Sequence, residues 1–413
     1  MQKADLAVVG GGASGMAAAL AAARAGGRGT SVAVLEKNDR VGKKLLLTGN
    51  GRCNLTNRCA GESSHYHGDA AAHRILKDFS PEQALLLFQK LGLLCRELDG
   101  GRIYPYSLQA ASVLNVLRRN LDRRGVETVC GFDVKSIQRS HGGFLLSSPQ
   151  RELFARRLIL AAGGSACPRS GSDGGGALLA KALGHTVGPL FPSLVQVKTD
   201  PARVRPLKGV RCPAAVSFRA EGKILRASAG EVQFTENALS GICIFELSRC
   251  VGEVRAPKNA EILLDLFPEH SPEKLKELLR AASVGAGGWT VSQLLEGFLP
   301  KALTIELSKS ALGGASTPAG RLSDETLDRL VSAAKGYAFP VRGTLSWDHA
   351  QVTAGGVPLS ELTERLESKK CGGLYLCGEL LDVDGDCGGY NLHWAWASGV
   401  TAGRAAAESL KGG

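Results

Sequence analysis

Residues 5–9, Asp-Leu-Ala-Val-Val, run directly into Gly10-Gly11-Gly12-Ala13-Ser14-Gly15 and then into an Ala-rich stretch that ends near Ala25. A short apolar run closed by glycines and followed by helix formers reads as a buried strand, a tight turn and a helix. In this spacing Gly10 allows the turn, Gly12 lets backbone approach a pyrophosphate, and Gly15 lets the helix pack on the strand. A second apolar run at 31–35 ends on Glu36, 21 residues past Gly15, where a carboxylate accepts the hydroxyls of an adenosine ribose. The segment is therefore one βαβ dinucleotide-binding unit. An acid at this point suits an unphosphorylated ribose, which leaves FAD and NAD and disfavours NADP.

The chain has 413 residues, more than one core supports, since single cores stop growing at roughly 250–300 residues. Helical patterns at 81–91 and 110–124 and strand patterns around 131–138, 143–148 and 158–161 extend the first domain to residue 191. From about Pro192 the runs at 214–219, 223–227 and 261–266 follow one another without alternating helices, which predicts a β-rich insert over 192–270, taken as a substrate domain. Helical patterns at 272–282, 291–312 and 324–335 predict a small helical subdomain over 271–349. The first of them opens on Ser271-Pro272, a cap followed by proline in the first turn. After about Gln351 the chain turns Gly-rich and apolar, and a last helix is expected from Asn391. This part completes the first domain, so that 1–191 and 350–413 form one body. The fold class expected is α/β, a dinucleotide-binding (Rossmann-like) domain with a β-barrel-like insert and a small helical subdomain.

Composition excludes several alternatives. The apolar run at 6–23 follows Asp5 and carries glycines at 10, 11, 12 and 15, a poor membrane span and a poor export signal. The default compartment is then the cytoplasm. Eleven cysteines at irregular spacing, with no Cys-x-x-Cys, argue against a disulfide framework, a dithiol reductase and the zinc-ribbon pattern, and no metal is expected. Net charge is +11. It has two readings, an Arg-rich solvated surface beside a bound diphosphate or an acidic partner such as RNA. Dispersed basic residues and an aromatic content of 5% favour the first and argue against nucleic acid.

The C-terminal part decides between FAD and NAD. Flavoproteins of the two-dinucleotide-fold superfamily return a late strand ending in Gly-Asp or Gly-Glu to the cofactor, the acid bonding a ribityl hydroxyl. Gly378-Glu379 has that form, and the positive end of the helix after it would face the flavin pyrimidine edge. The whole chain resembles the BaiN-like bacterial flavoproteins. The resemblance is carried by residues 9–16, by Gly42-Lys43-Lys44-Leu45 with Thr48-Gly49-Asn50-Gly51-Arg52-Cys53-Asn54, and by Gly163-Gly164. It continues in Thr353-Ala354-Gly355-Gly356-Val357, in Glu367-Ser368-Lys369, in residues 378–385 and in Gly388-Gly389-Tyr390-Asn391.

The resemblance implies non-covalent FAD with Gly51, Arg52, Cys53, Asn54, Gly388, Gly389, Tyr390 and Asn391 along the isoalloxazine. The rest of the cofactor site is expected from Gly10, Gly12, Ala13, Ser14, Gly15, Glu36, Lys37, Lys44, Val134, Ala162, Gly163, Gly378 and Glu379. It implies an oxidoreductase that moves hydride between flavin N5 and a small organic substrate, in the first instance a conjugated enone of the 3-dehydro-bile-acid kind. NAD(P)H would feed it by transient docking, since the glycine clusters at 171–176, 285–288 and 313–314 lack the strand-then-helix context of a second nucleotide site. An amine or aminoketone oxidase is the alternative, and an RNA-acting or sensor flavoprotein is the alternative of another class. Oligomeric state stays open.

Four residues are candidates for chemistry. Tyr390 and His393 could donate a proton, although His393 stands where the family usually has Gln and could equally be a satisfied helix residue. Arg102, with Tyr104, could reach the flavin face or a substrate carboxylate, or simply pack at the surface. Cys53 could act as a thiol, but it has no basic neighbour beyond Arg52 and no resolving cysteine. Residues 234–237, Phe-Thr-Glu-Asn, also depart from the family pattern.

Overall fold

The computed structural model describes residues 2–27, 29–254 and 259–411. Strand β1 (Gln2–Val9), helix α1 (Ala13–Gly26) and strand β2 (Val32–Glu36) form the expected βαβ unit. The strands are parallel, with Leu6 opposite Val32 and Val9 opposite Leu35. All five residues of β2 are buried, and a strand covered on both faces reads as an unbroken apolar run. The sheet runs in the order Glu127–Cys130, β2, β1, Glu152–Leu160, Gly143–Ser147, Ser136–Ser140, with Leu374–Leu376 also paired to Glu152–Leu160. The parallel pairing of Leu374–Leu376 delivers Gly378-Glu379 to the same sheet edge as the glycine turn.

The C-terminal helix, Tyr390–Glu408, lies against α1. A Cβ at Gly399 would collide with the Ser14 carbonyl oxygen, and one at Gly403 with that of Ala18. This glycine pair lets two helix backbones touch, so the start of α1 is held against the middle of the C-terminal helix. Trp394 Nε1 donates to Gly378 O at 3.1 Å and Gly378 N donates to Ser398 Oγ at 3.0 Å, which fastens the Gly-Glu turn to that helix.

The chain divides into two compact units: the residues up to Phe191 with those from Gln351 onward, and Pro192–Ala350. In the second, Val197–Thr199, Ala238–Ser240, Lys223–Phe234, Arg211–Ala220, Glu261–Asp265 and Tyr337–Thr344 close a six-stranded barrel. Along Arg211–Ala220 every second residue, Cys212, Ala214, Val216, Phe218 and Ala220, is buried, the period of a barrel wall with one face inside.

Three sequence readings in this unit need correction. The boundary at 270 does not separate two bodies, because the sixth barrel strand comes after the helices, and Leu275, Leu303 and Leu327 share one core with Phe218, Phe234 and Phe339. Pro340 inside that strand hid it, proline being rare in sheet interiors. The helix expected over 291–312 is two helices, Val291–Leu295 and Lys301–Leu312, because the second starts at Pro300, whose ring bars the preceding residue from helical backbone. Helix Ile242–Glu253 also lies inside the region read as strands. Among the described residues no helix is long and apolar enough to cross a membrane.

Candidate cofactor site

Side-chain caps are not universal, since Ile242–Glu253 and Lys301–Leu312 start without one, but several helices cap themselves: the Ser271 hydroxyl accepts from Lys274 N at 3.2 Å and that of Ser323 from Thr326 N at 3.2 Å. Helix α1 does not. Its cap is Gly12, no side chain accepts from its first turn, and that turn holds no acid. The first helical bond runs from Met16 N to Gly12 O at 2.9 Å, so the N–H groups of Ala13, Ser14 and Gly15 are left for another acceptor. A Cβ at Gly12 would meet nothing within 4 Å, which leaves open room above free donors at the positive end of a helix, the setting that takes a diphosphate. Gly10, by contrast, is needed for its backbone: φ is +105° and a Cβ would strike the Ala161 carbonyl oxygen.

Glu36 sits beside this turn, buried, with Oε2 accepting from Gly11 N at 2.9 Å and Oε1 from Asn38 N at 2.8 Å and Asn38 Nδ2 at 2.7 Å. The carboxylate braces the glycine turn and keeps one acceptor site, on Oε2, of the kind a ribose hydroxyl would take. Lys37 is committed to Asp173 at 2.7 Å. Phe132 N donates to Glu36 O at 2.9 Å and brings the buried Val134 near the end of β2, and Ala162-Gly163 follow the strand next to β1. Lys44 Nζ meets Glu379 Oε2 at 2.6 Å, while Glu379 Oε1 accepts from Thr353 N at 2.8 Å. Thr353 Oγ1 in turn accepts from Ser165 N at 2.7 Å and Ala166 N at 3.0 Å. Sequence reasoning gives Lys44 and Glu379 a site role and Thr353 only a place in a family block, whereas Thr353 is the hub that gathers the three segments.

At the other end, Gly49, Asn50, Gly51 and Cys53 have φ of 55°, 54°, 80° and 59°, a left-handed run that explains the Gly and Asn content of the Gly-Asn-Gly-Arg-Cys-Asn block. Tyr104 packs on Gly49. Asn54 is buried and its Oδ1 has no partner. The C-terminal helix starts beside it at Gly389, with no side-chain cap and no acid in its first turn. Gly389 has φ of +104°, and a Cβ there would lie 2.6 Å from Thr56 O and 2.9 Å from Asn54 Oδ1. An orphan buried acceptor beside uncapped helix donors fits a flat ring that carries N–H next to C=O, as the flavin pyrimidine does. The FAD expected from the motifs therefore matches both ends of the site.

Several site candidates change role. Cys53 is fully buried, and burial pushes its thiol up to about 12, so it stays a neutral thiol and is not a nucleophile. His393 is fully buried too. Its Nε2 meets Phe79 O at 2.8 Å and its Nδ1 meets Thr56 Oγ1 at 2.8 Å; a carbonyl only accepts, so Nε2 carries the proton and Nδ1 takes the hydroxyl. Burial holds its pKa down at about 4. A neutral, fully bonded ring is not a proton donor. Asn391 is a pin, its Oδ1 accepting from Gly385 N at 2.9 Å and its Nδ2 donating to Gly385 O at 2.7 Å. Arg102 Nε donates to Asp99 O at 2.9 Å, and the Arg52 side chain is exposed. Tyr390 is buried, with its ring stacked on His65 at 4.4 Å.

The Glu367-Ser368-Lys369 block has a structural explanation. Ser368 Oγ meets His185 Nε2 at 2.8 Å, and His185 Nδ1 meets Glu361 Oε2 at 2.7 Å, which looks like a nucleophile, a base and an acid. Ser368 Oγ also accepts from Cys371 N at 2.9 Å and Lys370 N at 3.1 Å, and both Ser368 and His185 are buried. The chain of bonds is a buried pin for the turn after residue 366.

An open sheet with a glycine turn, a buried carboxylate at the end of the second strand, a returning Gly-Glu and a second uncapped helix marks an FAD-dependent oxidoreductase. The family described as HI0933-like protein Rossmann domain matches residues 4–405, and the chain belongs to that family. It is 40% identical to the 3-dehydro-bile acid delta(4,6)-reductase of Clostridium scindens, over 97% of this chain and 98% of the relative, in keeping with the BaiN-like motifs. It is 27% identical to the ribosomal RNA dihydrouridine synthases of Escherichia coli, over 96% of each chain, and of Haemophilus influenzae, over 95% of each. Among solved structures, the 3-ketosteroid delta1-dehydrogenase of Sterolibacterium denitrificans, in complex with 1,4-androstadiene-3,17-dione, superposes with a TM-score of 0.51 at 15% identity. The match covers 99% of this chain and 100% of that one, and it speaks for the fold.

Proposed function

We propose that the chain reduces a carbon–carbon double bond conjugated to a carbonyl, with electrons from NAD(P)H passed through FAD. The observation that carries this is the start of the C-terminal helix, whose first turn has no side-chain cap and no acid and lies beside the unpartnered Asn54 Oδ1, so that these groups would face the pyrimidine end of a bound flavin. Such an end stabilises negative charge on a ring that takes up electrons. Bound FAD supplies the hydride. The chain's own residues hold the diphosphate at Ala13, Ser14 and Gly15, brace the adenosine end with Glu36, and tie the ribityl region through Lys44, Glu379 and Thr353. With His393 and Cys53 removed, Tyr390 is the proton donor proposed for the carbon next to the carbonyl, and Arg102 the group that anchors the substrate. The 40% identical relative is named as a reductase of an enone-bearing bile acid, which supports a small-molecule enone as substrate.

A second reading rests on the charge of +11 and on the two relatives named for ribosomal RNA. Its chemistry is the same, because the uracil double bond is conjugated to a ring carbonyl. Incubation with NAD(P)H and either a 3-oxo-4,6-diene bile acid or unmodified ribosomal RNA, followed by mass spectrometry, separates the two. Gain of two hydrogens by the bile acid supports the enone reading and gain by uridines supports the second. Flavin reduction by amines, with neither product formed, contradicts both.

A further inference from the structure

Segment 59–65 is built from two consecutive turns: Glu62 N donates to Cys59 O at 2.9 Å and His65 N to Glu62 O at 3.4 Å. That i to i+3 pattern has three residues per turn, so side chains at i, i+3 and i+6 line up on one face. Cys59, Glu62 and His65 hold those positions. The sulfur, a carboxylate oxygen and a ring nitrogen all lie within 4.8 Å of one another, the one group of its kind among the described residues.

A second observation points to a ligand. His65 Nδ1 faces Asp386 Oδ2 at 3.2 Å, and the same carboxylate holds His67 Nε2 at 2.9 Å. Asp386 is buried. A carboxylate on one ring nitrogen fixes the tautomer and aims the other nitrogen, which is how metal-ligating histidines are oriented.

We propose that Cys59, Glu62 and His65 bind a thiophilic divalent cation, with zinc the best match and Asp386 the group that orients His65. Thiolate and imidazole together select zinc over magnesium or calcium. Bonds of about 2.0–2.3 Å place tetrahedral ligands about 3.3–3.8 Å apart, about 1 Å or more inside the 4.8 Å that bounds the three atoms here, a gap that side-chain rotation can close. Three protein ligands leave the fourth position to water, as in open zinc sites. On binding, the Cys59 thiol gives its proton to solvent and the sulfur bonds to the cation. Because the His65 ring stacks on Tyr390, an occupied site would fix the turn against the start of the C-terminal helix.

The test is calorimetric titration of zinc chloride into the chelator-treated, FAD-containing full chain. One equivalent should bind, with affinity at least ten-fold weaker in Cys59→Ser and about 10- to 100-fold weaker in Asp386→Asn. Cobalt(II) in place of zinc should give a thiolate-to-metal charge-transfer band in the difference spectrum, absent in Cys59→Ser. Should Asp386→Asn lose its flavin, Cys59→Ser on the partly exposed turn carries the test with Glu62→Gln beside it. No saturable binding, or binding and a charge-transfer band that survive in Cys59→Ser, would overturn the site.

Discussion

Asn54, beside the start of the C-terminal helix, and His393, in its first turn, are treated by the fold in opposite ways. His393 has a partner on each ring nitrogen, whereas the Asn54 Oδ1 is buried with none. An unpaired buried acceptor costs about 1–3 kcal/mol until something donates to it. Asn54→Ala should therefore weaken FAD by about 0.5–1.5 kcal/mol, roughly two- to twelve-fold, while the flavin-free protein melts no lower than wild type. Fluorescence titration and thermal melts of the apoprotein check both parts, and a variant that keeps FAD but melts lower would place the amide in the core's own bonding. The His393 prediction concerns pH. Its folded pKa of about 4 lies below the 6.5 of a free histidine, so the unfolded chain binds the extra proton. Stability linked to this ring is complete above 6.5 and is lost as pH falls toward 4. His393→Gln should retain activity and shed that part of the acid sensitivity, read from denaturant midpoints across the window.

At the scale of elements, the site is an assembly of turns and helix starts held from behind by pins that touch no cofactor. The Ser368, His185 and Glu361 chain is one such pin. Burial alone would raise the Glu361 pKa, but hydrogen bonds from Lys370, Thr186 and His185 outweigh it and bring it to about 2. Its contribution is therefore present above the free value of 4.5 and lost as pH falls toward 2. Glu361→Gln should be less stable than wild type at neutral pH, and the gap between their denaturant midpoints should close below pH 4.5. A gap that does not change with pH would mean the carboxylate's charge has no part in the pin. What the sequence made legible were features local in the chain: the βαβ unit, the Gly-Arg-Cys-Asn turn, the Gly-Glu return and the cap at Ser271. Thr353, and Asp386 with His65, were not legible because strand pairing makes them neighbours; His65 and Asp386 stand 321 residues apart. Cys53 and His393 looked reactive because residue type carries no mark of burial. The barrel strand at Tyr337–Thr344 escaped through Pro340.

For the whole molecule, the central claim is that one flavin, held between the starts of α1 and the C-terminal helix, takes electrons from NAD(P)H and then gives them to an unsaturated carbonyl compound. With no second nucleotide fingerprint in the sequence, the two partners should use the flavin in turn. Parallel lines are then expected when NAD(P)H is varied at several acceptor concentrations. The most direct test is anaerobic stopped-flow absorbance of the bound flavin. NADH or NADPH alone should bleach it, and the enone added afterwards should restore the oxidised spectrum, with Gly12→Val giving a colourless protein that does neither. If the flavin stays oxidised under either nicotinamide until the acceptor is also present, or if Gly12→Val keeps a full complement of FAD, the account is contradicted.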